Sequence, residues 1–205
     1  MAYLTTKSYT KSTISNKCFF CNGDHTCRVC PIESAMAPIL KKKVGEMMEY
    51  WVGHNLKCPG CAQPALNVIG NHAPSLDIIC QNCSNKIEVK SKCLSVNKLP
   101  NDINLPHGSY IDFTHRLDDG LNLIVIIYGV DRIKKLIKIR EVLYADNAHF
   151  KNTNIIKVEK RSDSNLSTIF IKNREKLTKL KTDNDNMVMS FSDEYKYRRL
   201  SILSQ

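Results

Sequence analysis

Eight of the nine cysteines in this 205-residue chain fall into four C-x-x-C pairs: Cys18/Cys21, Cys27/Cys30, Cys58/Cys61 and Cys80/Cys83. Two thiolates separated by two residues can grip one tetrahedral metal from a tight turn, and a second such turn completes the shell. Cys58-Pro59-Gly60-Cys61 and Cys80-Gln81-Asn82-Cys83 supply two such turns, with Pro59 and Gly60 suited to the first. They predict a zinc ribbon over 58–83, with Cys58, Cys61, Cys80 and Cys83 holding one structural zinc. A redox dithiol would need only one pair. Cys93 stands outside the clusters and reads as a small buried apolar residue.

A second group combines acids with a lysine. Glu88 and Lys90 are separated by Val89, and on a strand period two puts both on one face, with Ile87 and Val89 on the other. Asp77 precedes Cys80 by three residues and Glu88 follows Cys83 by five. If the Cys80/Cys83 turn is the tip of an antiparallel hairpin, Asp77 and Glu88 lie opposite one another or one step off. Directly opposed Cβ atoms are about 4.5–5.5 Å apart, and carboxylates that close repel unless a cation sits between them. A hard divalent ion, magnesium or manganese, suits oxygen ligands of this kind. Lys90 beside it could orient or help deprotonate a water and stabilise charge on a phosphate. Asp77, Glu88 and Lys90 are therefore the candidate catalytic set, and the chemistry is phosphodiester hydrolysis. The plainer alternative is a charged strand face with Lys90 paired to Glu88 in solvent, worth less than about 1 kcal/mol.

These residues need a sheet to position them. Pro38 can open a helix that runs to about Val52, with Leu40, Val44, Met47 and Trp51 on one face to pack against that sheet. Leu76 to Val89 is extended apart from the Cys80/Cys83 turn. Leu121 to Val130 is almost wholly apolar and predicts a central strand, and Ile133 to Tyr144 alternates and predicts a half-exposed one. Asn101 to Gly120, with its Pro, Gly, His and Asp, reads as a loop. After Ala145 the chain turns to Asn, Lys and Ser. There Ser167 to Ile171 could be an edge strand and Asn173 to Lys181 a basic helix, or the whole could be a solvated tail. The fold class expected is α/β (α+β), a mixed sheet with the zinc ribbon inserted.

The N-terminal cluster, Cys18-Phe19-Phe20-Cys21 through His25 and Cys27 to Cys30, resembles a retroviral-type zinc knuckle. The resemblance implies a second zinc held by Cys18, Cys21, His25 and Cys30, with Cys27 the alternative to His25, and a role in binding single-stranded nucleic acid or a protein. Asp77 with Glu88-Val89-Lys90 resembles the PD-(D/E)xK nuclease motif. Cys58 to Lys92, with one C-x-x-C before the Asp and another between Asp and Glu, is similar to the catalytic domain of the DpnI-type restriction endonucleases. That likeness implies a restriction-endonuclease-like core, Asp77 and Glu88 as magnesium ligands and Lys90 as the catalytic lysine. A third acid from the preceding helix would be Glu46 or Glu49. DpnI-type enzymes also carry a C-terminal winged helix, and the residues after Ala145 are short and polar for one. Knuckle, helix and ribbon together are similar to proteins of large DNA viruses.

The domain boundaries expected are a disordered 1–16, a knuckle over 17–33, a nuclease-like domain over 34–145 and a basic extension over 146–205. Lys and Arg number 30 against 20 Asp and Glu, for a net charge of +10. Such a surplus points to a polyanionic partner, nucleic acid and DNA first. Lys41 to Lys43 could contact phosphate or face solvent, and His54, His72, His107 and His115 could contact phosphate or be ordinary loop or turn residues. No apolar run approaches the roughly 20 residues that cross a bilayer, and Met1 to Lys17 lacks the apolar stretch of a signal peptide. No membrane partner is expected, and the location expected is intracellular, in cytoplasm or nucleus, of a host cell or virion if the protein is viral. The function expected is magnesium-dependent DNA cleavage, with a non-catalytic zinc protein binding nucleic acid in transcription or packaging as the alternative. Oligomeric state is open, although cutting both strands needs a dimer or two successive nicks.

Overall fold

In a computed structural model, residues 44–69, 75–94, 98–131, 136–162, 164–182 and 188–190 are described. All belong to one unit, Lys41–Gln205. The N-terminal cluster of Cys18, Cys21, His25, Cys27 and Cys30 lies outside the described residues, as do 1–16, Pro38, Leu40, Lys41 to Lys43 and His72.

Helix α1 covers 44–55. Val44, Met47, Met48, Trp51 and Val52 form its buried stripe, the face expected from the spacing. Gly53 lets α1 approach the sheet closely: a Cβ there would meet Val68 Cγ2 at 2.6 Å.

Strands β1 (Leu66–Val68), β2 (Ile78–Cys80), β3 (Lys86–Cys93), β5 (Asn122–Asp131), β6 (Leu136–Ala145) and β10 (Val188–Ser190) form one sheet in the order β1-β2-β3-β5-β6-β10, and β9 (Thr178–Lys179) also pairs with β6. Among the described residues only β3 and β5 pair in parallel within it. A parallel neighbour requires a crossover, and here the crossover carries β4 (Ile103–Ser109) and helix α2 (Tyr110–Asp118).

Residues 101–120, expected as a loop, thus hold two elements. Ile103, Leu105 and His107 alternate inward on β4, a strand pattern whose third inward residue is not apolar. Pro106 is tolerated because β4 is an edge of the second sheet, ordered β4-β8-β7. Ser109 caps α2, its hydroxyl accepting from the Asp112 N–H at 3.2 Å.

The residues after Ala145 also depart from the expected extension. They form α3 (Asn147–Lys151), β7 (Ile156–Lys160) and β8 (Leu166–Ile171). β8 is the middle strand of the second sheet rather than an edge. Asn173 takes a left-handed φ of 59°, so the chain makes only a 3-10 turn at Arg174–Lys176 and then β9, neither the basic helix nor the solvated tail that the sequence left open. Arg174 is buried instead, donating to Glu141 Oε2 at 2.5 Å and to the Pro100 carbonyl at 2.8 Å.

Two apolar cores result, one on each face of the main sheet. α1 packs with Ile78, Ile87, Val89, Ile124, Ile126, Ile137, Ile139 and Val142. Leu123, Val125, Ile127 and Leu143 pack with Leu105, Phe113, Ile156, Ile169, Ile171 and Leu177. β5, between β3 and β6, is buried on both faces, as its apolar run predicts. β6 changes faces: Ile127 pairs with Glu141 but Tyr128 with Ile139. This bulge inserts one extra residue and swaps inward for outward, which takes Ile137 and Ile139 to the first core and Leu143 and Ala145 to the second.

Candidate active site and metal centre

The ribbon consists of two turns with the same backbone plan. Ala62 N–H donates to the Cys58 carbonyl at 2.7 Å and Ser84 N–H to the Cys80 carbonyl at 2.8 Å. Ala62 and Ser84 each follow the second cysteine of a pair, and both sit at a φ of 58°. Cys58 N–H closes on the Gln63 carbonyl and Cys80 N–H on Asn85, each at 2.9 Å. The four Sγ atoms lie within 4.8 Å of one another, with Cys58 to Cys83 at 3.6 Å and Cys61 to Cys80 at 3.7 Å. Thiolates about 2.3 Å from a tetrahedral zinc are separated by roughly 3.8 Å, so the donor set fits one zinc ion. The Gly60 N–H points at Cys58 Sγ (3.4 Å), and so does the Asn85 amide (3.6 Å). Asn122 donates to Asn85 Oδ1 at 2.5 Å and accepts from the Asn147 N–H at 2.7 Å, tying the ribbon to β5 and α3. Cys93, expected to be buried, is exposed at the last position of β3.

The Cys80/Cys83 turn lies between the two acids along the chain, with Asp77 just before β2 and Glu88 on β3. β2 pairs antiparallel with β3, Ile78 opposite Ile87, and Asp77 N–H donates to the Ile87 carbonyl at 3.1 Å. One residue beyond the last ladder pair, this register sets Asp77 opposite Glu88. Ser75, at a φ of 54°, turns the chain into that position. Asp77 Oδ2 accepts from the Val89 N–H at 2.7 Å.

Glu88 is 2% exposed, which removes the plain alternative of a solvated strand face. Its Oε1 accepts from the Lys90 ammonium and from His107 Nε2, the latter at 3.1 Å. Its Oε2 is buried and makes no hydrogen bond among the described residues.

The electrostatics follow from this crowding. Burial raises the Asp77 carboxyl and the Glu88 charge raises it further, to about 8, against the opposing charge of Lys90. Burial would raise Glu88 too, but the His107 hydrogen bond and the Lys90 charge outweigh it and hold the group below the usual carboxylate range. Burial would lower Lys90, and the charges of Glu88 and Asp77 reverse that and hold it above the usual lysine value. Glu49 of α1 belongs to the same field: burial raises it, Lys90 lowers it, and Glu88 and Glu46 raise it. A buried oxygen without a donor among the described residues, beside two acids raised by burial and by neighbouring carboxylates, fits a divalent cation bound by oxygen.

The histidines separate clearly. His54 stacks on Tyr50 with centroids 3.9 Å apart and has Nδ1 at 2.8 Å from the Tyr50 carbonyl, a contact local to α1. His115 is exposed on α2. His107, which the sequence offers only as a possible phosphate contact, is buried in the site. Its one signal was the alternation of Ile103 and Leu105 before it.

The profile of a protein family described as DpnI: Dam-replacing family matches residues 39–198. The match takes in both ribbon pairs, Asp77, Glu88, Lys90 and His107, and it continues past Ala145 through β7 to β10.

Proposed function

This chain belongs to the Dam-replacing (DpnI) family, a restriction-endonuclease-like family, and from that premise we propose that it is a metal-dependent DNA endonuclease with a structural zinc ribbon. One observation carries the reading. Asp77 faces Glu88 across the hairpin with Lys90 on the same strand, and a buried Glu88 oxygen makes no hydrogen bond among the described residues.

Asp77 and Glu88 would hold magnesium or manganese, with Glu49 close enough to add charge; when bound, such an ion supplies a Lewis acid for a phosphodiester and its attacking water. Lys90 is held in its charged form, so its part is to stabilise negative charge on the phosphate rather than to take up a proton. Its side chain is 23% exposed while that of Glu88 is 3%, so the ammonium has a route to a substrate that the carboxylate lacks. Cys58, Cys61, Cys80 and Cys83 hold zinc and fix the tip between β2 and β3. An intracellular location would keep those thiols reduced.

Nicking of supercoiled plasmid, methylated and unmethylated, tests the reading. Zinc-loaded protein should cut with magnesium or manganese, and Glu88→Ala should not. DNA binding without cutting under either metal would instead support a non-catalytic zinc protein that binds nucleic acid.

A further inference from the structure

We propose that His107 is a positioning residue: it holds Glu88 in place when Lys90 leaves the carboxylate for the substrate phosphate. The inference rests on the endonuclease reading above and concerns the same site.

Lys90 and His107 donate to the same oxygen, Glu88 Oε1. Glu88, beside an ammonium, is an acceptor only, so the shared proton belongs to His107 Nε2. The two donors differ in freedom. A lysine carries its charge on a flexible four-carbon stem with three rotatable donors, and the Lys90 side chain is partly exposed. The His107 side chain is 3% exposed, and its ring lies 4.2 Å from the ring of Phe113, which is fully buried. Phe150 packs edge-on against Phe113 at 5.9 Å. The imidazole is therefore wedged between two elements, on a strand of the second sheet, while the lysine can swing.

A charged lysine cannot pair with Glu88 and serve a phosphate equally well. If it were the sole anchor, each approach to substrate would leave a buried carboxylate with neither oxygen held. With His107 in place, Oε1 stays fixed and Oε2, the oxygen without a hydrogen bond, stays aimed for the ion. His107 Nδ1 is also buried with no hydrogen bond among the described residues. An apolar side chain would avoid that desolvation cost, so packing alone does not account for a histidine here. The bond to Glu88 does.

The test uses full-length, zinc-loaded protein and two readouts: Mn²⁺ binding followed by electron paramagnetic resonance, and plasmid nicking. His107→Leu keeps bulk and loses the donor. His107→Asn keeps an amide that falls short of Glu88. His107→Gln puts an amide nitrogen close to where Nε2 stood. Mn²⁺ affinity should fall about 10–100-fold in the Leu and Asn variants, the usual cost of losing a partner behind a metal ligand, and Gln should recover most of it. In nicking, kcat should fall with the KM for DNA little changed. Zinc content and cooperative melting report folding, and Asn with Gln supplies the contrast if Leu does not fold. Wild-type protein that binds Mn²⁺ and cuts, alongside Leu and Asn variants that match it, would overturn the role of His107 and leave the nuclease standing. Wild-type protein that neither binds Mn²⁺ nor cuts would overturn both.

Discussion

Lys90 and Glu88 are neighbours on one strand face, but their environments set them different tasks. Glu88 is sealed and ionised, Lys90 is charged and has a way out, and Asp77 opposite them is pushed up to about 8 by burial and by the Glu88 charge. Removing either end of the pair should therefore end catalysis without undoing the fold, because the apolar cores lie above and below. Glu88→Ala and Lys90→Ala are expected to lose at least two orders of magnitude in plasmid nicking while zinc content and the thermal transition persist; near wild-type cutting by either would contradict the assignment. Asp77 makes a pH prediction. Its folded value lies above the ordinary 3.8, so over that interval the folded protein holds a proton that the unfolded chain gives up, and stability falls as pH rises through about 8. Without added magnesium, Tm should decline between pH 5 and 9, and Asp77→Asn should flatten that decline. Added magnesium should raise Tm more at pH 8.5 than at pH 6, since the ion needs Asp77 ionised; an equal shift at both would place it elsewhere. Asp77, Glu88 and Lys90 were legible in the sequence because strand period and hairpin symmetry need only spacing. His107 was not, because it closes the run Ile103-x-Leu105-x-His107 between Pro106 and Gly108, and a polar third member erases the alternation that reveals a strand.

At the scale of elements, the hairpin of β2 and β3 is fixed at one end by the ribbon. Cys80 is the last residue of β2, and Asn85, bonded through its amide to Cys58 Sγ, directly precedes β3. The register that sets Asp77 opposite Glu88 thus starts at the four-cysteine cluster. Cys80→Ser, or a chelator strong enough to strip zinc, is expected to abolish nicking although every acid and Lys90 remain, and adding magnesium alone should not restore it. Full activity in protein shown by metal analysis to lack zinc would separate the ribbon from the site. Asn85→Ala is the milder case: the Cys58 thiolate and Asn122 each lose a partner, so zinc should leave faster to a chelator, by several-fold, with the fold intact. The paired C-x-x-C turns were legible because tetrahedral coordination dictates their spacing. The bulge that carries β6 from one core to the other was harder to see. Its trace is the doublet Arg140-Glu141, which interrupts the alternation begun by Ile137 and Ile139, and only pairing with Ile127 and Tyr128 shows where the extra residue goes.

At the scale of the whole molecule, the main sheet is covered on two sides by parts of the chain far apart in sequence. α1 covers one face, and the other is closed by β4, α2 and the segment after Ala145. That segment looked like an extension because its lysines and asparagines dominate a composition count; Ile156, Ile169, Ile171 and Leu177 are few and widely spaced, yet all are buried. Their burial cannot be recovered from composition, since it depends on β8 lying between β4 and β7. The basic side chains of the same segment, Lys157, Lys160 and Lys172 among them, are exposed, so one stretch of chain both closes the second core and adds to the positive surface. The two roles can be separated. Ile169→Ala empties space beside the core residues of β5 and should cost about 2–5 kcal/mol in denaturant unfolding, without changing the salt dependence of DNA binding. Lys160→Gln with Lys172→Gln should leave stability within about 0.5 kcal/mol, as exposed substitutions do. If both lysines neutralise a phosphate, the slope of log affinity against log salt should become shallower by up to about 1.8, close to 0.9 for each phosphate no longer neutralised. Ending the chain after Ala145 would strip Ile156, Ile169, Ile171 and Leu177 from the core of Leu123, Val125, Ile127 and Leu143 and leave β4 without its partner β8, and such a product should show no cooperative melting even with zinc supplied. A truncated chain with a sharp transition and bound zinc would mean that β7 and β8 only decorate the core, and that the second face of the sheet is closed by something else.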